Sequence, residues 1–483
     1  MKAKSIFRFF ALLVGAIISP INLSGQLAPI WSQSVDPTAS DDEATAITSN
    51  SNAIFVAGFD YSASNSNWRI EKRDLTTGNY IPTFGTGGVV FTNPTSSDDF
   101  AKGITHDQNA IYVTGIENQC FGCDSKWHIQ KRDLNTGGII WFQISNPSIN
   151  PDGSNAIAVD TSGVYIVGTV GISFLNWAWR VEKRDLTTGS LIWGHTWDIS
   201  PLGDTPYSIT LDSSGLYVAG ADYLAGNAQW RIEKRNLITG SQIWTHTVNP
   251  SSLDDVAKSV VCDSSGIYIG GYDINVSGDS QWRIEKRNLS SGLPINSFGS
   301  GGVIISNISS GLDEINGMTI DTSGIYAAGI DNTPGNAEWR VEKRDLYTGA
   351  LTCSVTSDPS PNDDKAFATI VDGSGVYVAG MKYISFGDNE WRIEKYSNSC
   401  SIATNIKEIS AKAKLRIFPN PAANYIEIDN SENKSVQIFD AQGKLILEKS
   451  MMNTNTIDIS GLQSGIHFVR HKELNVVQSF LKE

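Results

Sequence analysis

Carboxylates and aromatic rings are the groups through which this 483-residue chain could do chemistry. One acid recurs in register, as Asp42, Asp99, Asp152, Asp204, Asp255, Asp313 and Asp364. Clustered oxygens of this kind suit a hard cation such as Ca2+, but no specific calcium motif surrounds them. A group needed once in every copy of a repeat serves the repeat. The expected role of these aspartates is therefore structural, bonding backbone N–H groups of their own turn or pairing with an arginine repeated in the same units. A second, less regular series is Asp60, Glu117, Asp222, Asp273 and Asp331, broken by Val170 and Lys382. Aromatic residues lie beside it: Tyr61, Tyr223, Tyr383 and Phe386, with Phe174 and Trp177 in the third copy. Rings next to carboxylates suit sugar stacking with hydroxyl hydrogen bonds. Phe174, Trp177, Tyr61, Tyr223 and Tyr383, with Asp60, Asp222, Asp273 and Asp331, are the candidate ligand contacts.

Catalytic signatures are absent. The chain has no Gly-x-Ser-x-Gly elbow, no His-Glu-x-x-His and no phosphate loop ending in Gly-Lys-Ser/Thr. The glycine-rich Gly85–Gly88 lies in a β turn, not ahead of a helix. With six histidines in all, and His195 and His246 at matching positions of the repeat, base catalysis by histidine is poorly supplied. No catalytic residue and no cofactor is assigned. Paired carboxylates for glycan cleavage stay open as the alternative, because the acidic series offers many pairs. Cys120-Phe-Gly-Cys123 lacks the further ligands of a zinc site, so no metal is assigned and a local disulfide is expected in an exported chain. Cys262, Cys353 and Cys400 are not paired by the sequence; two can bond and leave one free.

The elements that carry these residues are repeats. Trp-Arg-Ile-Glu-Lys-Arg-Asp-Leu begins at Trp68 and recurs with small changes at Trp127, Trp179, Trp230, Trp282, Trp339 and Trp391, in steps of 59, 52, 51, 52, 57 and 52 residues. Ahead of each stands a Gly-Ile-Tyr-Val-Ala-Gly-like motif, ending at Gly58, Gly115, Gly168, Gly220, Gly271, Gly329 and Gly380. The first motif alternates, with Trp68, Ile70 and Lys72 on one face and Arg69, Glu71 and Arg73 on the other. The second is apolar and β-branched, as a buried strand is. Four short strands per ~52 residues, seven times over, predict an all-β, seven-bladed β-propeller over residues 26–400. Both acidic series then fall in loops on one face. The fourth strand type occurs first at Ile30–Val35 and is missing after Trp391, so an N-to-C strand closure of the last blade is expected.

Composition agrees with an all-β chain. At 40% hydrophobic and 10% aromatic the sequence can bury a core, which excludes disorder. A net charge of −14 excludes a free-standing nucleic-acid binder. Outside the tryptophan motifs the propeller keeps only five basic residues, so its loop face is expected to be an acidic, solvated rim.

The two ends differ from the middle. Residues 1–25 have a basic start at Lys2, Lys4 and Arg8, an apolar stretch from Phe9 to Ile18, and small Ser24 and Gly25 before Gln26. That is a secretory signal, its apolar run of about ten residues falling short of the ~20 that span a bilayer. No other segment is long and apolar enough to cross, so no integral membrane segment is expected in the mature protein. Residues 401–413 read as a linker, and 414–483 as short alternating strands of a small Ig-like β-sandwich.

Phe418-Pro419-Asn420-Pro421-Ala422, Ile438-Phe439-Asp440-Ala441-Gln442-Gly443-Lys444 and Ile457-Asp458-Ile459-Ser460-Gly461-Leu462-Gln463-Ser464-Gly465-Ile466 stand in the order seen in C-terminal type A sorting domains of type IX secretion cargo, which this segment resembles. His467 stands where that family usually has Tyr, an exchange expected to be tolerated on a partly exposed strand. The resemblance implies a Bacteroidetes-type bacterium, export through the periplasm by the type IX machinery, and release or surface anchoring. The middle repeats resemble delta-60 and related bacterial β-propeller repeats, through Phe84-Gly-Thr-Gly-Gly88 and Phe298-Gly-Ser-Gly-Gly302. Together these features point to an extracellular or surface-displayed protein that binds a glycan or protein ligand through its loop face.

Overall fold

The computed structural model describes residues 25–62, 65–118, 124–173, 175–333, 335–401, 416–428, 435–441, 443–451, 454–471 and 476–483. The leader up to residue 24, Cys120, Cys123, Phe174 and the linker from residue 402 lie outside them. Alternating and β-branched segments punctuated by glycine turns form strands throughout, and no α-helix occurs among the described residues. The chain divides into two units, Met1–Ile402 and Ala403–Glu483.

In the first unit each of the first six repeats folds as four consecutive antiparallel strands, and the seventh supplies three. The first sheet is Glu43–Ser49, Ile54–Asp60, Asn67–Arg73 and Val89–Thr92. The first strands of the following sheets are Phe100–His106, Gly153–Asp160, Thr205–Asp212, Val256–Asp263, Glu314–Asp321 and Lys365–Asp372. Each of these inner strands packs against the next, and Lys365–Asp372 packs against Glu43–Ser49, so the sheets close into a propeller-like ring. The last sheet takes its outer strand from the other end of the unit: Gly25–Val35 pairs antiparallel with Asp388–Ser401, Val35 opposite Trp391 and Ser32 opposite Glu394. Its first residues also lie parallel to Leu351–Ser357, Gly25 opposite Cys353, which joins the sixth and seventh sheets into one of eight strands. A Cys353–Cys400 disulfide spans the same seam, and Cys262 is free.

Packing between sheets explains the two sequence motifs. The seven motif tryptophans are fully buried, and Trp68, Trp127, Trp179, Trp339 and Trp391 each lie on the motif glycine of the next sheet. A Cβ at Gly115 would fall 2.0 Å from the Phe100 carbonyl oxygen and 2.8 Å from the Trp68 ring; at Gly58 it would fall 1.9 Å from the Glu43 oxygen and 2.8 Å from Trp391. Only glycine fits between a bulged first strand and a neighbouring indole. From Trp68 to Trp339 each indole N–H donates to a carbonyl of the next sheet, at 2.9–3.4 Å. Trp391, at the seam, has no such partner among the described residues.

On the same strand face, the lysines Lys72, Lys131, Lys183, Lys234, Lys286, Lys343 and Lys395 each donate to a backbone carbonyl of the next sheet at 2.7–3.0 Å, the last reaching Leu75 of the first sheet. The repeated lysine is thus an inter-sheet tie that goes once around the ring.

The second unit pairs Ile417–Phe418, Tyr425–Ile428 and Thr456–Asp458 in one sheet. Leu445–Ser450, Ser435–Phe439, Gly465–His471 and Val476–Lys482 form the other, over a core that includes Ile426, Val436, Ile438, Ile457 and Phe480. His467 departs from expectation: it is buried, its Nε2 bonded to the Gln463 carbonyl at 2.8 Å and its ring stacked on Phe480 at 5.5 Å. An aromatic ring with a polar tip fills that interior position.

Candidate functional site

The seven repeated aspartates are all buried and all make the same bonds. Each carboxylate accepts from the backbone N–H and the hydroxyl of the Ser or Thr four residues earlier, and from the backbone N–H nineteen residues later. For Asp255 these are Ser251 N and Oγ at 2.9 and 3.0 Å and Ile274 N at 3.0 Å. The side chain staples the loop entering a sheet to the end of that sheet's second strand. Burial pushes the Asp42 carboxyl up to about 7, against the bonds from Tyr61 and Thr38. Asp99, Asp152, Asp204, Asp255 and Asp364 are raised for the same reason. No cluster of three acidic, His or Cys side chains among the described residues is arranged to hold a metal ion.

The second acidic series also faces inward. Asp60, Asp222, Asp273 and Asp331 are buried and ion-paired with Arg69, Arg231, Arg283 and Arg340 at 3.0, 3.3, 2.9 and 3.1 Å. Glu117 meets His128 at 2.7 Å, and in the last sheet the polarity is exchanged, Lys382 pairing with Glu390 at 2.7 Å. The same arginines hold the motif glutamate: Glu71 lies between Arg69 and Arg73 at 2.6 Å each, and Glu182, Glu233, Glu285 and Glu342 repeat this. Strand alternation puts residues i, i+2 and i+4 on one face, and the hairpin brings the loop-end acid to the first arginine. These acids therefore do not form a solvated rim. The expected rim counted the arginines as locked away while leaving their carboxylate partners exposed.

The candidate aromatic contacts are largely turned back on the fold. Trp177 is half-buried over Gly203, where a Cβ would come within 2.5 Å of its ring. Tyr61 meets Phe59 edge-on at 6.5 Å, and Tyr223 packs on a small cluster of Ala221, Ala228 and Val256. Tyr383 is half-buried, its backbone N–H given to Asp364 at 2.9 Å. Of these rings among the described residues, Phe386 stands clear, 99% exposed. Ile149, Leu175, Leu224 and Val276 are exposed in loops at the same ends of their strands.

One site escapes the sequence argument. The first strands line a cavity of about 570 Å3, built from residues one and three places after the repeated aspartates together with Leu312 and Ile330. Thr45, Asn155 and Asn316 bond the backbone carbonyl of the neighbouring inner strand, at 2.7, 2.9 and 2.9 Å. The charged members are Lys102, Lys258, Lys365, Glu43 and Glu314, with Tyr207 and Phe367 beside them. Their signal in the sequence is faint, since these are places where the copies differ rather than agree.

Residues 416–481 match the family described as the secretion system C-terminal sorting domain. The second unit is thus the sorting domain of a type IX secretion cargo, and the chain is exported to the cell surface or the extracellular space. No curated protein matches the chain. Among solved structures, the quinohemoprotein alcohol dehydrogenase ADHIIG of Pseudomonas putida HK5 aligns at a TM-score of 0.45 and 10% identity, over 83% of this chain and 79% of its own. Sqt1 of Chaetomium thermophilum aligns at 0.43 and 11%, over 78% and 100%. Sqt1 bound to the N-terminus of the ribosomal protein L10 aligns at 0.40 and 10%, over 76% and 98%. Nothing about the chemistry of this chain follows from these likenesses.

Proposed function

We propose that the chain is an exported binding protein without catalytic activity. A seven-bladed β-propeller of about residues 26–400 is delivered by an Ig-like sorting sandwich, 414–483, after loss of the leader, and takes a glycan or protein ligand on its loop face. The observation that carries this reading is the fate of the repeated carboxylates. All are buried and bonded within the fold, whereas a glycan-cleaving pair must stand open to the scissile bond. What the loop face offers instead is apolar: Phe386, Val276, Leu224, Leu175 and Ile149 are all exposed. Exposed apolar groups rimmed by polar loops suit a macromolecular partner.

The test places a photo-cross-linking residue at position 386 on the loop face and, as control, at 347, an exposed turn at the opposite strand ends. A discrete adduct from 386 but not 347 is expected, or a glycan-array signal at least tenfold weaker in Phe386→Ser. Neither result, or substrate-dependent release of reducing ends, would sink the binding reading.

A further inference from the structure

Outside the tryptophan motifs, residues 26–400 hold five basic residues: Lys102, Lys126, Lys258, Lys365 and Lys382. Three of them come from separate sheets to the cavity at the start of the inner strands, where Glu43 and Glu314 join them. Around the ring from the fifth sheet to the second, the order is Lys258, Glu314, Lys365, Glu43, Lys102. Each glutamate thus stands between two lysines, and the remaining sheets contribute neutral Asn155 and Tyr207. No member of this arc makes a salt bridge within 4.0 Å among the described residues. The charges face a shared space rather than one another. Lys258 Nζ lies 4.5 Å over the Tyr207 ring, and no hydrogen bond from its ammonium to an oxygen occurs among the described residues.

We propose that this cavity binds a small organic carboxylate, its head group among Lys102, Lys258 and Lys365 and its carbon frame against Tyr207. Three ammonium groups against two carboxylates give the site a net charge of +1, matched to a monoanion. A doubly charged oxyanion exceeds that charge and meets Glu43 and Glu314 as well as the lysines, so the phosphate dianion, the main form above about pH 8, is disfavoured. The glutamates can accept from hydroxyl or ammonium groups on the rest of the ligand. The volume is that of an ordinary small-molecule pocket. Burial lowers the proton affinity of Lys102 and Lys258, opposed by Glu43 and Glu314; a bound anion would strengthen the charged form further. The site is independent of the exposed apolar loop residues.

Calorimetric titration of the purified chain at about pH 8, where inorganic phosphate is mainly the dianion, with glucuronate, glutamate, glucose and phosphate tests the proposal. One or both carboxylates should bind one-to-one, phosphate at least tenfold more weakly, and glucose not at all. Lys258→Gln should weaken carboxylate binding at least tenfold with the unfolding midpoint kept, and Lys102→Gln serves if that variant fails to fold. Phe386→Ser should leave the titration unchanged, which separates this site from loop-face binding. Absence of heat with both carboxylates, phosphate binding as tight as theirs, or wild-type affinity in the lysine variant overturns it.

Discussion

Glu71 shows how much of this molecule is decided by single buried charges. Burial alone would raise its carboxyl, but Arg73 and Arg69 outweigh that and hold it below its ordinary value of 4.5. Glu182 is held down in the same way by Arg184 and Arg180. A carboxyl whose folded-state affinity for protons is depressed stabilises the fold above its unfolded value and loses that contribution as the pH falls through the depressed one. Glu71→Gln should therefore cost about 3–5 kcal/mol at pH 7, because two guanidiniums lose their counter-charge in the interior. In urea melts the gap between wild type and variant should close as the pH drops below about 4.5; a gap that persists at acid pH would refute the assignment. The alternation of Arg69, Glu71 and Arg73 was legible in the sequence. Their link to Asp60 was not, since it depends on the hairpin register that sets Gly58 opposite Arg69.

At the scale of the strand, the motif glycines do more than punctuate. A strand ending in Gly58 or Gly115 can be read from sequence, but the indole that covers the glycine belongs to another copy of the repeat. No local pattern announces that contact. Gly58→Ala should destabilise the fold by about 1–3 kcal/mol or more, since the clashing atom is a backbone oxygen that cannot swing aside. Gly373→Ala, in a turn with open space around it, should be near neutral. Chemical denaturation of the two variants side by side checks this, and equal midpoints would count against the packing argument. The inner cavity was hidden for a related reason. Lys102, Lys258 and Lys365 occupy variable positions of the repeat, and a search for invariant acids and conspicuous aromatics passes over them.

For the whole molecule, the all-β class and the export tail were legible because each rests on a motif read directly from the chain. The convergence of distant lysines was not, because it exists only when the ring closes. Deleting 416–483 should leave the protein in the periplasm, read by fractionation and immunoblotting; normal secretion of the truncated chain would refute the delivery role. The shared last sheet also imposes an order in time. Gly25–Val35 is made before every other strand of the ring, yet its antiparallel partner Asp388–Ser401 is the ring's last strand. At ordinary synthesis rates the gap is on the order of tens of seconds. Through that interval the opening strand offers a bare hydrogen-bonding edge, Trp31 included, to whatever chaperone or stray chain it meets. A ring sealed by its two ends cannot close until its last strand, Asp388–Ser401, has been made, and only the segment that carries the sorting domain follows it.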